Sequence, residues 1–409
     1  MSKDLEQIAQ QLKDANKKVQ LIYAFNGTGK TRLSLAFKEL IAPKRDTDDS
    51  GEEIELTKRK ILYYNAYTED LFYWDNDLEA NKDPKLKIQP NMFTDWILRE
   101  RGDTDIVKNF QRYTSDKLMP LFHEQDVIQA GKKTGYKTYP EVTFSFETGS
   151  ESSGNLKISK GEERNFVWSI FYTLLQEVIT TLDEPDSGKR DDNQFDELEY
   201  VFIDDPVSSL DDTHLIELAV DLATQIKKSR FYEGRGLKFV ITTHSPLFYN
   251  VLHNEFNNYL ENPIQDATPK WLYKSSQSEK YKMKKKPDGT FELVKSNDRP
   301  FSYHLFLLSE IRNAMKDPRI KINKYHFTFL RNILEKTATF LGYKHWEDLL
   351  KKMNNGSPDP LTSRMLNLSS HSAHAGEETS DIQPEYKQKL EEVVNDLINT
   401  YGFNTQEAE

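Results

Sequence analysis

Three short apolar runs stand out in the first two thirds of the chain: "VQLIY" at 19–23, "YVFID" at 200–204 and "KFVITT" at 238–243. Runs this short with so little polar alternation predict strands buried on both faces of a parallel sheet. The first leads into a glycine-bearing turn and an amphipathic stretch, "KTRLSLAFKEL"; the second ends on paired acids and the third on a histidine. After "NEFNNYLENPIQDATPKW" the apolar runs stop, a lysine-rich hairpin "KYKMKKKPDGTFELVKS" follows, and the periodicity turns helical in "FSYHLFLLSEIRNAMKD", "YHFTFLRNILEKTATFLGY", "TSRMLNLSSHSAH" and "PEYKQKLEEVVNDLINTYG". The predicted fold class is therefore α/β followed by an all-α domain, with the boundary near residue 265: an α/β domain over 1–265 and a helical domain over 266–409.

On the second of those helices Phe327, Leu330, Leu334, Ala338 and Leu341 form the expected core stripe, and Arg331 and Glu335 fall along one edge of it. An i,i+4 ion pair contributes only about 0.3–0.5 kcal/mol, and the favourable order places the acid first. Here the base comes first. From these residues alone, an ordinary surface ion pair and a working part of a site both remain open.

Composition narrows the chemistry. The 409 residues suffice for two or three domains, and the absence of cysteine excludes Cys-based zinc sites, redox pairs and thiol nucleophiles. No signal-peptide core and no run of about 18 apolar residues is present, so a cytoplasmic protein with no membrane partner is expected. The net charge of −11 hides a local excess: residues 251–370 carry 20 Lys and Arg against 13 Asp and Glu, a net +7, which leaves −18 on the remainder. That basic region, interleaved with aromatics, reads either as a solvated hairpin or as a nucleic-acid contact surface.

"AFNGTGKT" supplies the parts of a phosphate-binding P-loop, with Ala24 where the first glycine is usual. Asn26, Gly27, Thr28 and Gly29 turn backbone N–H groups inward, Lys30 places a charge near the β/γ-phosphates, and Thr31 offers its hydroxyl to Mg²⁺. Asp204 stands where a Walker B carboxylate holds the same ion.

The segment "LKISKGEERNF" resembles the signature of ABC-type ATPases, which implies that Ser159, Gly161 and Glu162 open a helix that contacts the nucleotide of a second subunit. The same resemblance makes Asp205 the residue that polarises the attacking water, where that class usually has glutamate. It also makes Ser209 and Asp211 a D-loop and His244 the switch histidine. About 130 residues separate the loop from the signature without sustained heptads, so coiled-coil arms are not expected. With so few residues before the loop, the antiparallel strands that contact the base in such heads look shortened. The aromatic segment "KRKILYYNAYTEDLFYWDND" fits no generic motif; it reads either as core or as a stacking surface, with Asn65 near the expected Q-loop position.

In the third C-terminal helix Arg364 and His371 lie two turns apart on one face, a spacing that resembles HEPN ribonucleases. Together, "LIYAFNGTGKTRLS", the aromatic segment, "SKGEE", "YVFIDDPVSSLDD", "FVITTHSPLFYNVL", "FSYHL", "HFTFLRNILEKTA", "FLGY" and "SSHS" resemble the PrrC family of anticodon nucleases over essentially the whole chain. The resemblance implies an NTPase head controlling a nuclease that cuts tRNA, typically lysine tRNA, beside the wobble base. It places Arg331, Glu335 and His371 in the catalytic set, and Asp298, Arg299 and Arg364 as candidate substrate contacts. It implies Mg²⁺ with ATP or GTP, leaves room for a pyrimidine nucleotide effector, and expects no cofactor for RNA cleavage. The implied partners are tRNA, a second copy or more of the chain, and a silencing type I restriction-modification complex, as in a latent antiphage toxin. The rival reading is an ABC-type defence or repair ATPase whose C-terminal helices bind DNA or a protein without cutting.

Overall fold

The computed structural model describes residues 3–43, 60–75, 84–89, 92–129, 132–148, 151–153, 155–190, 193–206, 212–263, 270–286, 288–296, 301–317, 320–353, 362, 366, 382 and 384–403. The chain divides into two compact units, Met1–Pro300 and Phe301–Glu409.

The first unit is built on a six-stranded sheet in the order Phe291–Lys295, Ser278–Lys285, Val19–Tyr23, Lys238–Thr243, Tyr200–Asp204, Ile61–Tyr64. Every pairing is parallel except the first, where Phe291–Lys295 runs antiparallel to Ser278–Lys285. The three apolar runs sit side by side in the middle, and Val19–Tyr23 and Tyr200–Asp204 are buried at every position. On one face the helices Leu5–Asp14 and Lys30–Ile41 pack Leu5, Ile8, Leu12, Leu33 and Phe37 against Ile22, Phe202, Val240 and Tyr281. On the other face the helix Pro246–Glu255 brings Tyr249 to 5.6 Å from the Tyr23 ring.

The lysine-rich hairpin corrects the expected boundary at 265. Its strand Ser278–Lys285 hydrogen-bonds in parallel register to the strand before the P-loop, Val19 opposite Ser278 and Tyr23 opposite Lys282. The α/β unit therefore extends to residue 300. Tyr281, Met283 and Phe291 face its core, and Lys280 is buried with its ammonium donating to Asn257 at 2.7 Å.

A second, antiparallel sheet joins Phe72–Asp75, Lys85–Ile88, Lys132–Thr148 and Leu118–Gln129, with Glu151–Ser153 added on Lys132–Thr148. Antiparallel strands are thus supplied after the P-loop; before its strand Val19–Tyr23 the described residues hold the helix Leu5–Asp14 and a single antiparallel bridge from Lys3 to Phe291. The helix Lys160–Asp183 lies between the two sheets. Its Trp168 and Phe171 rings meet Tyr64 of the first, and its Phe166 meets Phe72, Phe122 and Phe144 of the second. Burial all round such a helix suits an element buried in the core rather than at a surface.

Among its described residues the second unit contains the helices Tyr303–Lys316, Lys324–Phe340, Glu347–Met353 and Pro384–Tyr401. Their shared core holds Leu307, Ile311, Phe327, Leu330, Leu334, Ala338, Trp346, Leu350, Leu366 and Val394. Leu341, expected in this core, is exposed, and Ile333 is buried instead. The helix stops first: Gly342 takes φ 78°, its N–H donates to Thr339, and Tyr343 N–H donates back to the Ala338 carbonyl at 2.8 Å. This Schellman closure turns the chain away at Leu341.

Candidate functional site

The carboxyl ends of the three central strands open on one crevice, the position where open α/β sheets receive ligands. The strand Val19–Tyr23 delivers the P-loop, Tyr200–Asp204 delivers Asp204 and Asp205, and Lys238–Thr243 delivers His244. Gly27 and Gly29 have φ of 76° and 99°, in the region that disfavours a Cβ, and a Cβ on Gly29 would also meet the Phe291 ring at 3.4 Å. Thr28 N–H donates to the Phe25 carbonyl at 3.2 Å, closing the turn before the helix Lys30–Ile41.

Lys30 is folded into this loop, donating to the carbonyls of Ala24 and Phe25 and to Asn26 Oδ1 at 3.2–3.4 Å, and pairing with Asp205 at 3.5 Å. Thr31 Oγ1 donates to Asp204 Oδ2 at 2.7 Å, and Thr242 donates to the other oxygen of the same carboxylate. Thr31 and Asp204 thus present two hard oxygen donors side by side at the helix start, a set that fits Mg²⁺ carried by a nucleoside triphosphate. Burial pushes the Asp204 carboxyl above the ordinary aspartate range despite the two hydroxyl donors.

Asp205 occupies the left-handed region at φ 55°, a conformation costly for a residue with a Cβ. Its carboxylate accepts from His244 Nδ1 at 2.5 Å and from the His244 backbone N–H at 3.2 Å. Burial opposes its ionisation, but the His244 hydrogen bonds and the Lys30 charge outweigh burial and hold the carboxyl below the usual range. Two adjacent aspartates are thereby given opposite tendencies, one to hold a proton and one to lose it.

Ser159 caps the helix Lys160–Asp183: its Oγ accepts from Glu162 N–H at 3.2 Å, and Glu162 accepts from Ser159 N–H at 2.7 Å. Gly161 lies in the first turn of that helix. The N-terminus of a 24-residue helix presents N–H groups and a positive dipole end. Here the hydroxyl is held by the helix's own capping box. The predicted D-loop, Ser209 and Asp211, lies outside the described residues.

In the second unit Arg331 Nε donates to Glu335 Oε1 at 2.8 Å along one face of the helix Lys324–Phe340. The guanidinium lies over the Trp346 ring, 5.7 Å from its centroid. One carboxylate and one indole therefore fix the plane of the arginine. His371, Arg364, Asp298 and Arg299 lie outside the described residues.

Reading the sequence alone missed Thr242, Phe291 and Trp346. Thr242 lies opposite Asp204 in the parallel register, so its role needs the strand order. Phe291 reaches Gly29 through the pairing of a hairpin far along the chain, and Trp346 reaches Arg331 through the turn at Gly342. None of these leaves a local signal. Of the aromatic segment, Tyr64, Phe72 and Trp74 are core, whereas Tyr73 is 52% exposed. Asn65 is fully buried at the end of the strand beside the Asp204 strand and donates to Tyr63 Oη at 2.8 Å.

A family model described as an AAA domain matches residues 142–399. The solved SmcHead bound to the C-winged helix domain of ScpA is 9% identical, covers 69% of this chain and 90% of its own, and has a TM-score of 0.30. An anticodon nuclease of Escherichia coli is 45% identical over 437 residues, spanning 100% of this chain and 99% of that protein. The chain belongs to the PrrC family of anticodon nucleases.

Proposed function

We propose that this protein is an NTP-regulated tRNA anticodon nuclease that cuts lysine tRNA beside the wobble base. The observation that carries the reading is the full-length 45% identity to an anticodon nuclease. A P-loop crevice in the first unit and an oriented Arg331–Glu335 pair in the second add physical support.

The chemistry is transesterification. The ribose 2′-hydroxyl attacks the adjacent phosphorus as a base takes its proton, an acid protonates the departing 5′-oxygen, and a cation stabilises the charged intermediate. Arg331 is the clamp: Glu335 and Trp346 hold its planar fork before a phosphate arrives. Glu335 and His371 form the acid/base pair of this HEPN-like unit, histidine because it titrates near neutrality. The products are a 2′,3′-cyclic phosphate and a 5′-hydroxyl, and DNA is refractory because it lacks the nucleophile.

In the head, Lys30 and the loop N–H groups bind the phosphates of ATP or GTP, Thr31 and Asp204 hold the Mg²⁺, and Asp205 with His244 orients the attacking water. Mg²⁺ bound there supplies charge neutralisation at the β/γ-phosphates. Ser159 and Gly161 engage the nucleotide of a second copy, so the active species is a dimer or larger. Head closure then biases the nuclease between two arrangements, in a defence toxin kept latent by a type I restriction-modification complex.

The test is incubation of the full-length protein with bulk tRNA and NTP, followed by sequencing of the fragment ends. Cyclic-phosphate ends in one anticodon loop, lost in His371→Ala while NTP hydrolysis persists, are the expected result. An intact tRNA pool under active hydrolysis would favour a DNA- or protein-binding ATPase instead.

A further inference from the structure

The aromatic segment 61–75 plays no part in the chemistry described above, yet it touches both halves of the head. At its start, Tyr63 Oη is 2.6 Å from Ser34 Oγ on the P-loop helix, and Asn65 donates to the same phenol. Its strand Ile61–Tyr64 pairs with the Asp204 strand, Tyr64 opposite Ile203. At its far end the Trp74 indole N–H donates to Glu163 Oε2 at 2.7 Å, both residues being buried. Glu163 is in the first turn of the Ser159 helix, and Lys160 of the same turn pairs with it at 2.8 Å. Lys157, two residues before Ser159, stands over the Trp74 ring at 5.6 Å. Between these ends Glu69 accepts from Tyr64 Oη at 3.2 Å and pairs with Arg164 of the Ser159 helix at 3.4 Å.

A small apolar cavity of about 30 Å³ lies between the segment and the Ser159 helix, lined among others by Leu62, Tyr63, Phe72, Val167, Ile170 and Phe171. Apolar contacts are non-directional, whereas the Trp74–Glu163 and Glu69–Arg164 bonds fix direction, and both end within the first turns of the helix.

We propose that residues 63–74 form a bracket that aims the N-terminus of the Ser159 helix relative to the P-loop, with Trp74 and Glu69 as positioning residues for NTP hydrolysis across the seam between two heads. The inference rests on the hydrolase reading above. Neither residue hydrogen-bonds to the P-loop cluster; Trp74 acts through the helix it holds, and Glu69 does so while its charge is also felt at Asp205.

The discriminating variant is Trp74→Phe in the full-length protein, which keeps an aromatic ring and removes the indole donor. Nucleotide affinity, measured with a fluorescent NTP analogue, should stay within about twofold of wild type, because the P-loop is untouched. The kcat for hydrolysis should fall by about 10- to 100-fold, as expected when a reacting group is misplaced by about 1 Å. Glu163→Gln keeps an acceptor for the indole and should retain most activity. Glu163→Leu should match Trp74→Phe, and the double variant should be no slower than either single. Wild-type kcat in Trp74→Phe overturns the bracket, as does a parallel loss of nucleotide binding and thermal midpoint, which marks a merely structural contact. A wild type that binds NTP without ever hydrolysing it removes the hydrolase reading itself, and the bracket with it.

Discussion

Asp204 and Asp205 are neighbours in sequence with opposite electrostatic fates, and this has a consequence in pH. Asp204 lies above the ordinary aspartate range of about 3.9 because it is buried, so it takes up a proton first as the medium is acidified. Its ionised form costs folding free energy at neutral pH, and protonation relieves that cost. Asp205 lies below the range, so its contribution to stability is present above the unfolded-state value and is lost only as pH falls through the lower folded-state value. Mg²⁺-dependent nucleotide binding should therefore fail on acidification before the fold does. Titrating nucleotide affinity with and without Mg²⁺ alongside a melting curve checks this: coincident losses would mean that Asp204 is not the metal-linked group. At the other site, Trp346→Leu should slow tRNA cleavage by about 2- to 30-fold, the equivalent of the roughly 0.5–2 kcal/mol carried by a cation–π stack. Trp346→Phe should recover part of that loss, while Arg331→Ala should abolish cleavage in the same end-labelled tRNA assay.

Individual elements show how much of the molecule could be read beforehand. The P-loop and the Asp204 strand were legible because each is one contiguous stretch whose spacing encodes its geometry. The Arg331–Glu335 contact was legible too, since residues four apart on a helix must be neighbours. What was hidden depends on pairing between distant segments: the Thr242 bond to Asp204, and the hairpin that looked like the start of a new domain but completes the sheet of the old one. Leu341 failed as a core residue because the periodicity of a helix carries no information about where a Schellman turn ends it. The Ser159 helix offers an element-scale test, since its cap and its expected anion role reside in one residue. Ser159→Gly should cost only a few tenths of a kcal/mol as a cap, against about 0.5–2 kcal/mol for alanine. A kcat for NTP hydrolysis that falls tenfold or more in Ser159→Gly, with an unchanged melting midpoint, separates the anion role from the cap. A rate within twofold of wild type leaves Ser159 as a cap alone.

For the whole molecule, the two compact units make a prediction about where the chain can be cut. A fragment ending at residue 300 keeps all six strands of the central sheet and should stay folded and bind nucleotide. One ending at 265 strips the strands Ser278–Lys285 and Phe291–Lys295, baring the edge of Val19–Tyr23 and removing Tyr281, Met283 and Phe291 from the core. Exposed strand edges pair with other chains, so that fragment should aggregate, as size-exclusion chromatography of both fragments would report. Equal behaviour would place the true boundary back near 265.

The same hairpin also braces the phosphate loop from one side. Its return strand begins at Phe291, whose ring lies 3.4 Å from where a Cβ on Gly29 of the phosphate loop would stand, and ends at Lys295, after which Ser296 donates its N–H to the Lys280 carbonyl at 2.7 Å. Because Ser278–Lys285 runs parallel to the P-loop strand and extends beyond it, the antiparallel return strand starts past the carboxyl end of that strand and stops level with Ile22. Five residues of strand cover about 17 Å. One end of this short, hydrogen-bonded rod lies beside the phosphate loop, and the other is tied to the middle of the neighbouring strand. A side chain at Gly29 would therefore press on a strand tied into the sheet rather than on a loose loop.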